Sequence, residues 1–155
     1  MASLPDLLLR PEVRPQVIDG CVAVVEREVG SKRGLGGTAI KAGFAVVSKV
    51  KPGFVREVVS NLLPDFALAL DPMYLESASE QGEADQAAIA DAFVRRVERE
   101  RSRAAEALLG VTDRKIDSAR PSVQKAYARL RPSAREHVEA ALPGLVHELR
   151  PRLVR

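Results

Sequence analysis

The feature that most constrains the fold is a pattern of prolines and apolar residues that is present twice, in residues 50–74 and in residues 130–153. Both copies contain a Leu-Pro step and a later proline. Proline costs about 3 kcal/mol inside a helix but little at its first position, so matched prolines predict the same helix boundaries in both copies. The matched positions are Arg56/Arg135, Glu57/Glu136, Val59/Val138, Leu63/Leu142, Pro64/Pro143, Phe66/Leu145, Leu70/Leu149, Pro72/Pro151 and Tyr74/Leu153. We therefore predict two similar halves related by a pseudo-two-fold axis.

Composition and periodicity predict an all-α fold. The apolar residues are mostly Ala, Val and Leu, aromatic residues make up 4% of the chain, and no Trp is present. No alternating apolar run is followed by hairpin turn residues, so no strand is predicted. We expect one compact helical bundle of about seven to nine helices over residues 1–155. Half one would span about residues 10–75, an acidic linker residues 76–91, and half two about residues 90–155.

Capping residues suggest where the individual helices begin and end. Ser3 is expected to cap a short first helix, and Gly30 and Gly110 to follow the last turns of two longer ones. The longest helix is predicted from Asp85 to Leu109. Ser133, with Glu three residues later, is expected to cap the last helix.

Opposite charges are concentrated in two adjacent segments. Residues 76–91 contain acidic side chains and no Lys or Arg, whereas the segment after Ala92 is rich in Arg. Helical spacing places four arginines on one exposed face, and this face is a candidate for binding nucleic-acid phosphates or an acidic partner surface. The four are Arg95, Arg96, Arg99 and Arg103. Glutamates lie between them, so a solvated helix with pairs such as Arg96/Glu100 is the alternative.

The glycine-rich stretch of residues 30–37 is the second candidate site for an anion. Lys32, Arg33 and a helix N-terminus at Thr38 could together hold a phosphate. The spacing is not that of a P-loop, and a plain interhelical connector is the alternative. The following helix, Thr38–Val50, is almost wholly apolar, which favours a core helix or a lipid-binding element.

Groups for catalysis or metal binding are sparse. Cys21 shares an apolar stripe with Val17 and Val24, so a buried and unreactive thiol is expected. His137 and His147 are ten residues apart and have no ligand partners at metal-binding spacing. Surface salt bridges are the expected role of the Glu57/Glu136 pair. The sequence thus predicts no catalytic residue, no metal site and no cofactor, and an enzyme is the least favoured class.

The chain also lacks the signals for export and for membrane insertion. Its first residues have no basic region ahead of a long apolar run, and no run reaches the roughly 18 apolar residues of a membrane span. We expect a cytoplasmic protein.

Three stretches resemble a known family. They are S-K-R-G-L-G-G-T-A-I-K-A-G-F, the L-P-D-F turn, and K-A-Y-A-R-L-R-P with V-E-A-A-L-P-G-L. Over nearly the whole chain, the sequence resembles an uncharacterised bacterial family of small helical proteins that carry a domain of unknown function. The resemblance implies a single compact domain, and it implies no activity and no catalytic residue.

These observations favour a non-enzymatic binding, scaffold or assembly protein that contacts a protein partner or itself. One alternative is an adaptor for polyanions or acidic surfaces through the Arg-rich second half. Another is a lipid or membrane-surface binder that uses the glycine-rich loop and the Thr38–Val50 helix.

Overall fold

The computed structural model describes residues 2–31, 53–82 and 85–154, with the backbone alone at 29–31. These residues form six α-helices, one 3-10 turn and no strand, which confirms the all-α prediction. The elements are α1 (Leu4–Leu8), α2 (Arg14–Ser31), α3 (Phe54–Gln81), α4 (Gln86–Arg99), α5 (Arg101–Lys115), the 3-10 turn Ile116–Ser118, and α6 (Pro121–Leu153). The predicted count of seven to nine helices is not confirmed in this part of the chain. The predicted helix Thr38–Val50 lies outside the described residues.

The two long helices, α3 and α6, organise the bundle. Each of them packs against α1, α2, α4 and α5. Within the described part of the chain, however, α3 and α6 pack less closely on each other than on these shared neighbours. This arrangement leaves a space between the two long helices.

The contact between α3 and α4 forms a deeply buried part of the core. The Tyr74 and Phe93 rings are 1% and 0% exposed and meet edge to face, with their centroids 5.5 Å apart. Ile89 and Val97 are buried on the same face of α4 as Phe93, as their helical spacing predicts. Gln86 donates a hydrogen bond to the Tyr74 hydroxyl and so satisfies the polar end of that ring.

The prolines lie inside helices, and the prediction that they mark helix ends is wrong. Pro64 and Pro72 are within α3, and three further prolines are within α6. A proline has no N–H to donate to the carbonyl four residues earlier. For Pro64 that carbonyl belongs to Ser60, and the Arg14 Nη2 of α2 donates to it at 3.1 Å. A contact from another helix thus offsets part of the cost of Pro64.

Other predicted boundaries also move. Gly110 lies inside α5, and Ser133 lies inside α6, where its hydroxyl donates to the Leu130 carbonyl at 3.3 Å instead of capping a helix. The predicted helix Asp85–Leu109 is divided at Glu100, whose φ of −112° and ψ of 47° are not helical. The predicted first helix is correct, because Ser3 forms a capping box with Asp6.

The predicted linker is also largely helical. Residues 76–81 belong to α3, and residues 86–91 belong to α4. Ser77 is fully buried in the contact between α3 and α4, where its hydroxyl accepts a hydrogen bond from Arg96 Nε. Gly82 ends α3 with a φ of +54°, a value that favours glycine.

The pseudo-two-fold relation between the halves is not confirmed. The matched positions are 79 residues apart, so Glu100 in the second half corresponds to Cys21 in the first. The chain is helical through Cys21, whereas it breaks at Glu100. The matched prolines, furthermore, do not set helix ends in either half.

Candidate functional site

An apolar cavity of about 340 Å³ lies between α3 and α6. The lining residues of α3 and of α6 are spaced at helical intervals, so each long helix contributes one face as a wall. The α3 wall consists of Val59, Leu63, Phe66, Ala67 and Leu70. The α6 wall consists of His137, Val138, Ala141, Leu142, Leu145 and Leu149.

The duplicated sequence pattern supplies both of these walls. All of its matched aliphatic and aromatic pairs before residue 74 and residue 153 line the cavity. These pairs are Val59/Val138, Leu63/Leu142, Phe66/Leu145 and Leu70/Leu149. The matched positions therefore coincide with the cavity walls, although they do not set the helix boundaries.

Helix α1 closes one end of the cavity. Leu4 and Leu8 line it there and are 0% and 2% exposed. The Leu4 N–H donates to Asp71 Oδ1 of α3 at 2.8 Å, which joins the start of the short helix to the long one. This hydrogen bond and the Ser3 capping box position the apolar end wall.

Helix α2 forms the third side and runs antiparallel to α6. A Cβ atom at Gly20 would lie 3.1 Å from Glu148, and one at Gly144 would lie 3.2 Å from Arg27, so the two helices approach closely. The end of α2 that carries Glu28 therefore lies toward the same end of the cavity as His137 of α6. Glu28 and His137 both line the cavity and are half-buried. Glu28 and His137 thus border the end of the cavity away from α1, while the cavity surface is apolar throughout.

Cys21 lies in the α2 wall and is half-buried rather than fully buried as predicted. Burial, with a smaller effect from the Glu148 carboxylate, raises the pKa of its thiol to about 11. The thiolate is the reactive form of cysteine, so a raised pKa makes the thiol less reactive at neutral pH.

We expect iodoacetamide at pH 8 to alkylate Cys21 in the folded protein on the order of a hundredfold more slowly than in the unfolded chain, because far less thiolate is present. Mass spectrometry of timed aliquots, with and without denaturant, measures the two rates. Equal rates in the two states would show that the folded thiol is neither shielded nor shifted.

The four arginines predicted to share an exposed face do not all share it. Arg96 is only 7% exposed, because it lies in the α3–α4 contact. Its Nε donates to the Ser77 hydroxyl at 3.0 Å, and its terminal nitrogens pair with Glu76, Glu80 and Glu100. Arg96 is therefore poorly placed to bind an external anion, since carboxylates of the same chain already surround it.

The other predicted anion-binding residues fall into three groups: one is paired with carboxylates, two are exposed, and three lie outside the described residues. Arg103 pairs with Glu76 and Glu100, and its hydrogen bond lowers the pKa of the Glu76 carboxyl. Arg95 and Arg99 are exposed on α4, one helical turn apart. Lys32, Arg33 and Thr38 lie outside the described residues.

The histidines do not form a common site. His147 lies 3.3 Å from Glu98 at the surface, whereas His137 borders the cavity. Within residues 2–31, 53–82 and 85–154, no cluster of three or more His, Cys, Asp or Glu side chains is placed to hold a metal ion. None of the helices described is both long enough and apolar enough to cross a bilayer.

The fold and the site together define a class: a small all-α protein with an apolar cavity between two long helices. The chain belongs to the family of unknown function DUF6918, whose sequence profile matches residues 4–151. This confirms the resemblance to an uncharacterised domain, while the bacterial origin stays a prediction. No curated protein and no solved structure matches the chain.

Proposed function

We propose that the protein is a non-enzymatic binder of a single-chain apolar molecule, such as a lipid-like hydrocarbon chain, in the cavity between α3 and α6. The observation that carries this proposal is the cavity of about 340 Å³ with its almost entirely aliphatic lining. Small-molecule pockets are typically about 300–1,000 Å³ and mostly apolar, with a few polar groups that orient the ligand. The cavity fits that description in its volume and its apolar lining.

The shape of the cavity favours a chain over a compact ring system. Its lining extends from Val59 to Leu70 on α3, a distance of about 16 Å at 1.5 Å per residue. On α6 it extends from His137 to Leu149, a similar distance. An elongated apolar space gains the most from a ligand that buries hydrocarbon along its whole length, at about 25 cal/mol per Å² removed from water.

The duplicated pattern supports the same proposal. Matched residues of the two copies supply facing walls of similar chemistry, which is the arrangement expected if two related units enclose one ligand. We infer that the duplicated pattern gave rise to the cavity and that the cavity serves to bind the ligand.

The test uses a neutral apolar fluorophore, N-phenyl-1-naphthylamine, whose emission rises on entering an apolar site. We expect saturable binding to the full chain and a loss of affinity of about tenfold or more in Val59→Phe, because a phenyl ring would occupy part of the cavity. A tenfold loss corresponds to about 1.4 kcal/mol. Fluorescence titration gives both affinities.

The matched control is Val58→Phe, the same substitution one residue earlier on α3. Val58 borders a separate surface groove with Phe54, Leu62 and Tyr127. Thermal melts of both variants separate ligand loss from unfolding, since overpacking alone can cost about 1–3 kcal/mol. An equal loss in both variants, or no saturable binding to the original chain, would contradict the proposed function.

A further inference from the structure

The short helix α1 forms an end wall of the cavity. Leu4 and Leu8, one helical turn apart, line the cavity and are 0% and 2% exposed. Helix α1 packs against both α3 and α6, so its two leucines lie across the space between the long helices. An apolar chain that fills this space therefore meets α1 at one of its ends.

Hydrogen bonds fix α1 to both long helices. At the first residue of α1, the Leu4 N–H donates to Asp71 Oδ1 of α3 at 2.8 Å. Shortly after its last residue, Arg10 Nη2 donates to the Arg152 carbonyl oxygen of α6 at 2.9 Å, and Arg10 Nε donates to the Leu7 carbonyl oxygen at 2.9 Å. A helix as short as α1 would be unstable by itself. Its position as an end wall is therefore maintained by α3 and α6.

We propose, on the basis of the function proposed above, that α1 sets the length of the apolar chain that the cavity accepts. The residues that determine this length are Leu4 and Leu8. The cavity accepts unbranched chains of up to about 12 carbons, a limit that follows from both its length and its volume.

The length and the volume of the cavity lead to similar limits. An extended alkyl chain, with C–C bonds of about 1.5 Å and near-tetrahedral angles, advances about 1.25 Å per carbon, so the roughly 16 Å of lined helix accommodates about 12 or 13 carbons. A cavity of about 150 Å³ holds benzene, which has six carbons. The cavity of about 340 Å³ correspondingly holds about 12 to 14 carbons.

The apolar surface of the cavity makes chain length the main variable in binding. Each methylene group that moves from water into the cavity tightens binding about fourfold. A chain that is too long cannot push Leu4 and Leu8 aside without overpacking the core around α1. Its excess methylene groups then extend beyond the apolar lining and add nothing to the affinity.

The test is displacement of N-phenyl-1-naphthylamine from the full chain by unbranched alcohols from hexanol to hexadecanol, each below its solubility limit. All of them carry the same hydroxyl, so differences in affinity report chain length alone. We expect the affinity to rise about fourfold per methylene group up to dodecanol, and tetradecanol and hexadecanol to bind within about twofold of dodecanol. Dodecanol is then the length limit, the alcohol at which the affinity stops rising.

The decisive variant is Leu8→Ala, which shortens a side chain of the end wall. Its length limit should move from dodecanol to tetradecanol, because the chain gains the space that the leucine side chain filled. The matched control is Leu7→Ala, since Leu7 is 1% exposed on the same helix but does not line the cavity. This control should lose stability and keep dodecanol as its length limit.

Thermal melts establish that the variants are folded at the assay temperature. If Leu8→Ala is unfolded, Leu8→Val makes a smaller truncation and should move the length limit to tridecanol. Three results would overturn the role of α1 while leaving apolar binding intact: affinity that rises through hexadecanol, a limit that stays at dodecanol in the folded Leu8 variant, or an equal shift in Leu7→Ala. The proposed function itself fails if neither the probe nor any alcohol binds saturably.

Discussion

Replacing Phe93 with alanine is expected to lower the free energy of unfolding by about 3–5 kcal/mol. Phe93 is 0% exposed, and its ring meets the Tyr74 ring at a centroid distance of 5.5 Å. The substitution removes this aromatic contact and leaves a void between α3 and α4, which the surrounding helices can fill only in part. Urea unfolding followed by circular dichroism measures the change.

Leu68→Ala is the control for Phe93→Ala. Leu68 is apolar and lies on α3, but it is 59% exposed, so its truncation should change stability by no more than about 0.5 kcal/mol. If the two variants were equally stable, the α3–α4 contact around Phe93 would not be the packed core described above.

Replacing Arg96 with methionine is expected to lower the free energy of unfolding by about 2 kcal/mol. Methionine keeps most of the apolar length of the side chain, so the change isolates the guanidinium. Its removal breaks the ion pairs with Glu76, Glu80 and Glu100 and takes away the donor to Ser77. Arg103 still pairs with Glu76 and Glu100. The expected loss is smaller than for a fully buried pair because these carboxylates are 43%, 56% and 31% exposed.

Arg95→Met provides the matched control, because Arg95 precedes Arg96 on the same helix and is exposed. We expect its effect on stability to stay within about 0.5 kcal/mol. Denaturant titration measures the free energy of unfolding of both variants. Repeating it in low and high salt shows how much salt screening changes each loss. Identical losses in the two variants would contradict a structural role that belongs to Arg96 alone.

The Arg96 cluster changes the interpretation of the charge pattern. From the sequence, the acidic tract and the Arg-rich segment look like two separate electrostatic regions. In the structure they neutralise each other, since Arg96 and Arg103 pair with Glu76, and Arg150 of α6 pairs with Asp91 at 2.5 Å. Of the four arginines predicted to share one face, Arg96 is buried and Arg103 pairs with Glu76 and Glu100, so the cationic surface at this face is smaller than the sequence suggests.

The position of Arg96 was not predictable from helical periodicity. On a helical wheel it falls at the border of the apolar face of α4, and which side it takes depends on the neighbouring helix. Here α3 continues beyond its predicted end and brings Ser77 and Glu80 alongside. Because the end of α3 could not be predicted from the sequence, the partners of Arg96 could not be predicted either.

The residues that form the cavity walls could be identified from the sequence, but the cavity between them could not. The apolar pairs Leu63/Leu142 and Leu70/Leu149 stand out as matched positions, and helical spacing puts each set on one face of its helix. Periodicity shows that such a face is covered, and it does not show whether the covering is tight. That Glu28 and His137 both border the cavity could not be predicted, because it depends on contacts between helices that are distant in sequence.

Local patterns of side chains were enough to predict the all-α class, the capped first helix and the buried stripes of α2 and α4, because each depends on residues within a few turns. The ends of α3 and α6, the break at Glu100 and the cavity depend on contacts between distant segments. Pro64 illustrates the reason: a proline's cost inside a helix is fixed by backbone chemistry, but a guanidinium 50 residues earlier in the chain, that of Arg14, donates to the carbonyl that the proline leaves unpaired. Local chemistry sets such costs, and the packing of the helices on one another determines which of them the folded chain accepts.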